Sequence, residues 1–163
     1  MATDAGSLLA TLVNSYTGAL ISVSHTVGIE AEFLKSEISA GINVPGSRVA
    51  ALICIVGKDI HSTASLMVDL TAFETYVSAF TGGMIKADTE DPMSMSVLGE
   101  MTNMISGQAL IKANIPGLDI TPPQMLSGEN IKAIPPRKPE VKSFTLPFKV
   151  NNGKVFLILS VHG

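Results

Sequence analysis

Apolar residues recur every three or four positions near the start of the chain, at Leu8, Leu9, Leu12, Val13, Tyr16, Leu20 and Ile21. That spacing predicts an amphipathic helix packed on a core. Asn14, Ser15 and Thr17 interrupt the run, which falls short of the roughly 18 apolar residues of a membrane span. No Lys or Arg precedes Lys35, so the basic segment that opens a signal peptide is missing. Partial alternation over 30–38 predicts a strand. Two β-rich runs, 48–56 and 65–70, flank a turn near Gly57-Lys58-Asp59. Thr71-x-x-Glu74 has the form of a capping box and predicts a short helix with Phe73, Val77 and Phe80 on one face, ended by Gly82-Gly83. An acidic loop, 86–90, follows. Residues 115–139 hold most of the prolines and predict irregular chain with short extended pieces. Strands at 143–150 and 154–161 flank Asn151-Asn152-Gly153, a hairpin turn signal.

The stretch 91–114 is the most informative. Asp91 is a good N-cap, Pro92 suits the first helical position, and Asn114 with Pro116-Gly117 marks the end. At about 100° per residue, Ser96, Glu100, Asn103 and Gly107 fall within a sector of roughly 60°. Leu98, Met101, Ile105 and Ala109 occupy a separate sector of the helix. One side therefore serves the core, and the other carries a carboxylate and a carboxamide one turn apart. Solvation of an outer face would account for two polar residues. It does not account for Gly107, which costs roughly 1 kcal/mol relative to Ala in a helix interior. A glycine beneath Asn103 clears space for another surface to approach.

Two long helices and a shorter one against an antiparallel or mixed sheet define a two-layer α/β domain spanning 1–163. The chain has 163 residues, a hydrophobic fraction of 46% and a charged fraction of 15%, the composition of an ordered globular domain. A net charge of −3 offers no basic footprint for nucleic acid. Cys54, the single cysteine, excludes an intramolecular disulfide and sits in an apolar strand, a poor setting for a nucleophile. These features imply a cytoplasmic protein without membrane insertion. His25, His61 and His162 are too scattered for a zinc site, so no metal ligands are assigned. Neither a phosphate-binding Gly-rich loop nor a Gly-x-Ser-x-Gly elbow is present. If the chain catalyses a reaction, Glu100 and Asn103 are the tools it has.

The run Leu98-Gly99-Glu100-Met101-Thr102-Asn103-Met104-Ile105-Ser106-Gly107 resembles the Glu-x-x-Asn-x-x-x-Gly motif of the CheC/CheX/FliY chemotaxis phosphatases. Its flanks are similar to CheX in particular. Asp119-Ile120-Thr121-Pro122-Pro123 and Ser127-Gly128 follow it; Ala64-Ser65-Leu66-Met67-Val68-Asp69-Leu70 and Gly82-Gly83-Met84 precede it. The likeness runs from about residue 50 to the C-terminus. The single copy of the motif also favours CheX, since CheC-type members usually carry two.

The resemblance implies a CheC-like fold and hydrolysis of the aspartyl phosphate on a CheY-type response regulator. Asn103 would orient the attacking water, and Glu100 would anchor the partner through a cationic group, plausibly the regulator's lysine near the phosphate. Ser96, Met104, Gly107 and Ile111 are the expected partner contacts. The regulator would supply the divalent metal, Mg2+, and this chain would bind no cofactor. The alternative is an adaptor that docks a response regulator, the CheD deamidase or a chemotaxis scaffold through the same helix without hydrolysing anything. The resemblance also implies a homodimer joined through sheet edges; the strand 155–161 could supply such an edge or be an ordinary internal strand.

Overall fold

The computed structural model describes residues 5–131 and 141–162. In chain order its elements are α1 (Ala5–Thr26), β1 (Ala31–Phe33), a single 3-10 turn (Lys35–Glu37), β2 (Ser39–Ala40), β3 (Val49–Gly57) and β4 (Ile60–Val68). Then come α2 (Leu70–Thr81), α3 (Pro92–Ala113), β5 (Asp119–Ile120), β6 (Gln124–Ser127), β7 (Val141–Val150) and β8 (Gly153–His162). Every strand pair is antiparallel, in the order β1-β7-β8-β4-β3-β5, with β2 also on β7 and β6 also on β3.

Two tight turns build the centre of this sheet. Asp59 (φ 61°) carries the chain from β3 to β4, and Asn151 (φ 53°) carries it from β7 to β8. Asn and Asp reach the left-handed region more readily than other residues with a side chain. The second turn is shorter than the sequence suggests, because Gly153 already pairs with Val150. Gly153 is instead required by a neighbour: a Cβ there would lie 2.5 Å from the backbone nitrogen of Ala72, at the start of α2. Asp69 secures that approach. Its carboxylate accepts from Ala72 N at 2.8 Å and from Lys154 N at 2.9 Å, so one side chain caps α2 and ties it to the hairpin. The N-cap is therefore Asp69, and the Thr71-x-x-Glu74 box is not used.

Two strands differ from expectation for identifiable reasons. Of the strand predicted at 30–38 only β1 forms; a 3-10 turn replaces its second half, and β2 begins beyond it. Both β1 and β2 pair with β7, and the break falls opposite Pro147, whose carbonyl accepts from Leu34 N at 2.9 Å. A residue's N–H and C=O point to the same side of a strand, so the donor that proline lacks is missing on this edge. Strand β4 starts at Ile60, earlier than the apolar run, because His61, Thr63 and Ser65 face away from the helices while Ala64 and Leu66 face them. The expected irregular region is observed to residue 131, with β5 and β6 as its extended pieces; its remainder, 132–140, lies outside the described residues.

One face of the sheet carries the helices. Val49, Ala51, Ile55, Leu66, Val68, Leu146, Phe148, Val155, Leu157 and Leu159 share a buried cluster with Leu12, Tyr16 and Leu20 of α1, Phe73 and Val77 of α2, and Leu98, Met101 and Ile105 of α3. The opposite face has a small second cluster, Val44, Ala50, Met67, Phe156 and Ile158. By length and composition α1 would suffice to cross a membrane. Its Leu8, Leu9, Leu12, Tyr16, Ala19, Leu20 and Val23 are instead buried in the core shared with the sheet and the other helices. Strand β8 is bonded on both sides, to β7 and β4, so the 155–161 strand is internal and offers no edge.

Two buried phenols cross-link the helical layer. Tyr16 Oη donates to Ser106 Oγ (2.8 Å), and Tyr76 Oη lies 2.7 Å from Ser24 Oγ. Burial pushes both phenols from the ordinary 10.0 up to about 12, partly opposed by their serine hydrogen bonds. Because the folded values are raised, the stability these groups contribute is complete below pH 10.0 and is lost as pH rises toward about 12. These are the chain's two tyrosines. Tyrosinate absorbance should therefore appear only together with loss of the native circular dichroism. A reversible titration near pH 10 in a folded protein would contradict their burial.

Candidate functional site

The caps read from the sequence fix the ends of α3. Asp91 accepts from Met93 N at 3.0 Å, Pro92 occupies the first helical position, and Asn114 closes the helix at φ 52° in the left-handed region. Between them, Leu98, Met101, Ile105 and Ala109 are buried, as the spacing requires. Three hydroxyls are buried with them, on Ser94, Thr102 and Ser106. Ser94 Oγ accepts from Asp88 N, Thr102 Oγ1 donates to Leu98 O, and Ser106 receives Tyr16. No buried hydroxyl of α3 is left without a partner among the described residues.

The outer stripe is laid out as the helical arithmetic predicts. Ser96 and Glu100 are exposed, and Asn103 and Gly107 are half-buried. Ser96 Oγ is turned back on Met93 O (2.7 Å). The side chains of Glu100 and Asn103 have no hydrogen-bond or ion-pair partner among the described residues. The tools are free. Beside them, Met93 is 62% exposed, Met104 42% and Ile111 80%. At about 100° per residue these three lie roughly 20–40° from Glu100, on the side away from Asn103. The stripe is thus two-toned, with a polar track next to an apolar one. Sequence reasoning identified Met104 and Ile111 but missed Met93, seven residues before Glu100 and two helical turns along the same line.

Two glycines in α3 have opposite surroundings. A Cβ at Gly99 would meet Met125 Sδ at 3.2 Å and Pro123 Cγ at 3.4 Å, so β6 and the Pro122-Pro123 segment lie against the helix on the Asn103 side. A Cβ at Gly107 would meet nothing within 4 Å. The fold makes no use of the missing side chain at Gly107.

An apolar groove of about 480 Å³ lies between α1 and β7, lined by Leu9, Val13, Phe144 and Leu146 among others. A polar depression of about 530 Å³ lies at the start of α2, beside Arg48, Asp69 and Glu129. Neither borders Glu100 or Asn103. Among the described residues no group of three or more His, Cys, Asp or Glu could hold a metal ion.

A carboxylate and a carboxamide, without side-chain partners among the described residues, thus stand one turn apart on the outer face of a helix laid over an antiparallel sheet. Residues 49–149 match the family model of the chemotaxis phosphatase CheX, and the chain belongs to that family. A comparison with curated protein sequences found no match. Among solved structures, the chain resembles a CheC-like superfamily protein from Shewanella sp. PV-4 (22% identity, 94% of this chain and 98% of that one, TM-score 0.79). It also resembles the chemotaxis protein CheX from Vibrio vulnificus (20% identity, 93% and 99%, TM-score 0.76). A third is CheX in the CheX–CheY–BeF3–Mg2+ complex from Borrelia burgdorferi (18% identity, 93% and 97%, TM-score 0.66). These likenesses establish the CheC-like α/β fold.

The open space at Gly107 has a measurable consequence. Gly107→Ala should raise the unfolding free energy by roughly 1 kcal/mol, the helix-propensity difference, with an unchanged urea m-value. A loss of stability would mean that the fold itself needs the glycine.

Proposed function

We propose that this chain accelerates hydrolysis of the aspartyl phosphate on a CheY-type response regulator by inserting the α3 stripe into the regulator's active site. The observation that carries the reading is the pair of Glu100 and Asn103, without side-chain partners among the described residues, above an unfilled Gly107. Two side chains on the outer face of a helix act most simply within a cleft that the substrate protein supplies. Phosphoryl transfer suits this division, because its catalysis is chiefly positioning and charge stabilisation. The Asn103 carbonyl oxygen accepts a hydrogen bond from water and aims it in line with the phosphorus, while its NH₂ donates toward a phosphoryl oxygen. Glu100, one turn away, pairs with a cationic group of the regulator and fixes the register of insertion. The Mg2+ that neutralises the phosphoryl group belongs to the regulator in this scheme. Ser96, Gly107, Met104 and Ile111, with Met93, line the contact. A CheX has been crystallised with CheY, BeF3 and Mg2+, which supports a receiver partner for this chain.

Homodimerisation forms part of the same proposal. With β8 internal, the edges left for a second copy among the described residues are β1–β2 on one side and β5–β6 on the other.

Asn103→Ala should reduce regulator dephosphorylation by at least about 100-fold, the cost of losing one positioned catalytic donor, while complex formation persists. Glu100→Ala should weaken binding as well. Phosphate release from a receiver charged with acetyl phosphate reads both. Full activity in the Asn103 variant would turn the protein into an adaptor that needs the helix surface but not the carboxamide.

A further inference from the structure

We propose that Tyr16 is a positioning residue: its buried hydroxyl, bonded to Ser106, fixes the axial setting of α3 and with it the depth to which Asn103 reaches. This rests on the reading of Asn103 given above. The bond joins residues 90 apart in sequence, at 2.8 Å, with both side chains fully buried. Ser106 lies one turn beyond Asn103 and next to Gly107, so whatever holds Ser106 holds the reactive part of the stripe.

The remaining contacts on the rear of α3 cannot do this. Leu98, Met101, Ile105 and Ala109 are apolar, and apolar burial is non-directional, so it tolerates sliding of one helix along another. A hydrogen bond does not. Shifting a helix by one residue moves it about 1.5 Å, several times the roughly 0.5 Å range over which a good hydrogen bond survives. The other two buried hydroxyls of α3 are spent locally: Ser94 receives the amide of Asp88 in the preceding loop, and Thr102 returns to its own helix. Only Ser106 reaches another helix. Buried polar pairs of this kind specify register where hydrophobic packing alone leaves it loose. Catalysis by positioning is sensitive at that scale, since a 1 Å misplacement costs on the order of 100-fold.

The molecule supplies its own control. Tyr76 and Ser24 form a bond of the same chemistry between α2 and α1, with no hydrogen-bond partner on α3. Tyr16→Phe and Tyr76→Phe each delete one buried phenol hydroxyl, so a purely structural role predicts the same outcome for both. Two measurements separate them. In the free protein, backbone relaxation dispersion should reveal new millisecond exchange at 100–107 in Tyr16→Phe and none there in Tyr76→Phe. With a CheY-type receiver charged by acetyl phosphate, Tyr16→Phe should lower kcat about tenfold with KM within about twofold, and Tyr76→Phe should match the wild type. Should Tyr16→Phe fail to fold, Ser106→Ala removes the same bond by a smaller change and must give the same pattern. Quiet amides at 100–107, or an unchanged kcat, overturns the assignment. Failure of the Asn103 reading looks different: Asn103→Ala keeps its activity, while the amide measurement on the free protein still decides the role of Tyr16.

Discussion

The structure depends on how the rear face of α3 is held. A helix that must present two polar side chains outward needs its opposite side buried, and α3 meets the sheet there through Leu98, Met101 and Ile105. It also carries serine and threonine at three buried positions, which apolar residues would fill more simply. Each hydroxyl has a partner, so the desolvation cost of burying it is offset. Aliphatic side chains alone would give α3 stability without a defined setting. The Tyr16–Ser106 bond supplies the setting, and α1 becomes the frame for both other helices through its two buried hydroxyl pairs.

The sheet contributes rigidity beneath this layer. Asp69 joins the start of α2 to the β7–β8 turn, and Gly153 lets the two approach closely. The break in the first edge strand opposite Pro147 lies on the side of the sheet away from β3, β5 and β6. On the other side, Pro123 and Met125 press against Gly99, so the helix is supported next to Asn103 while Glu100 and Gly107 stay open. The two helix glycines differ: neighbours crowd Gly99, whereas nothing in the fold fills the space at Gly107.

Much of this was legible in the chain. The ends of α3 followed from Asp91, Pro92 and Asn114, whose capping chemistry is local. The stripe of Ser96, Glu100, Asn103 and Gly107 followed from helical period alone. The misreadings share a cause, namely contacts between residues distant in sequence. Thr71 and Glu74 form a plausible box, but Asp69 wins the cap because it also binds the amide of Lys154, 85 residues later. The break at residues 34–38 reflects a proline in β7. Nothing near Tyr16 announces Ser106 as its partner, because a tyrosine at core spacing in an amphipathic helix reads as packing. Met93 was within reach, since its line along the helix is the one Glu100 already marks.

In the proposed function the outward stripe of α3 enters the active site of a phosphorylated receiver domain. Chemical-shift mapping tests it most directly, with the isotope-labelled chain titrated by a CheY-type receiver loaded with beryllofluoride and Mg2+. Perturbations should gather on residues 93–111 at the stripe and on the neighbouring β6 segment, and should fade when the receiver is left unloaded. Perturbations confined to the α1–β7 groove or to the far face of the sheet, with α3 silent, would contradict it.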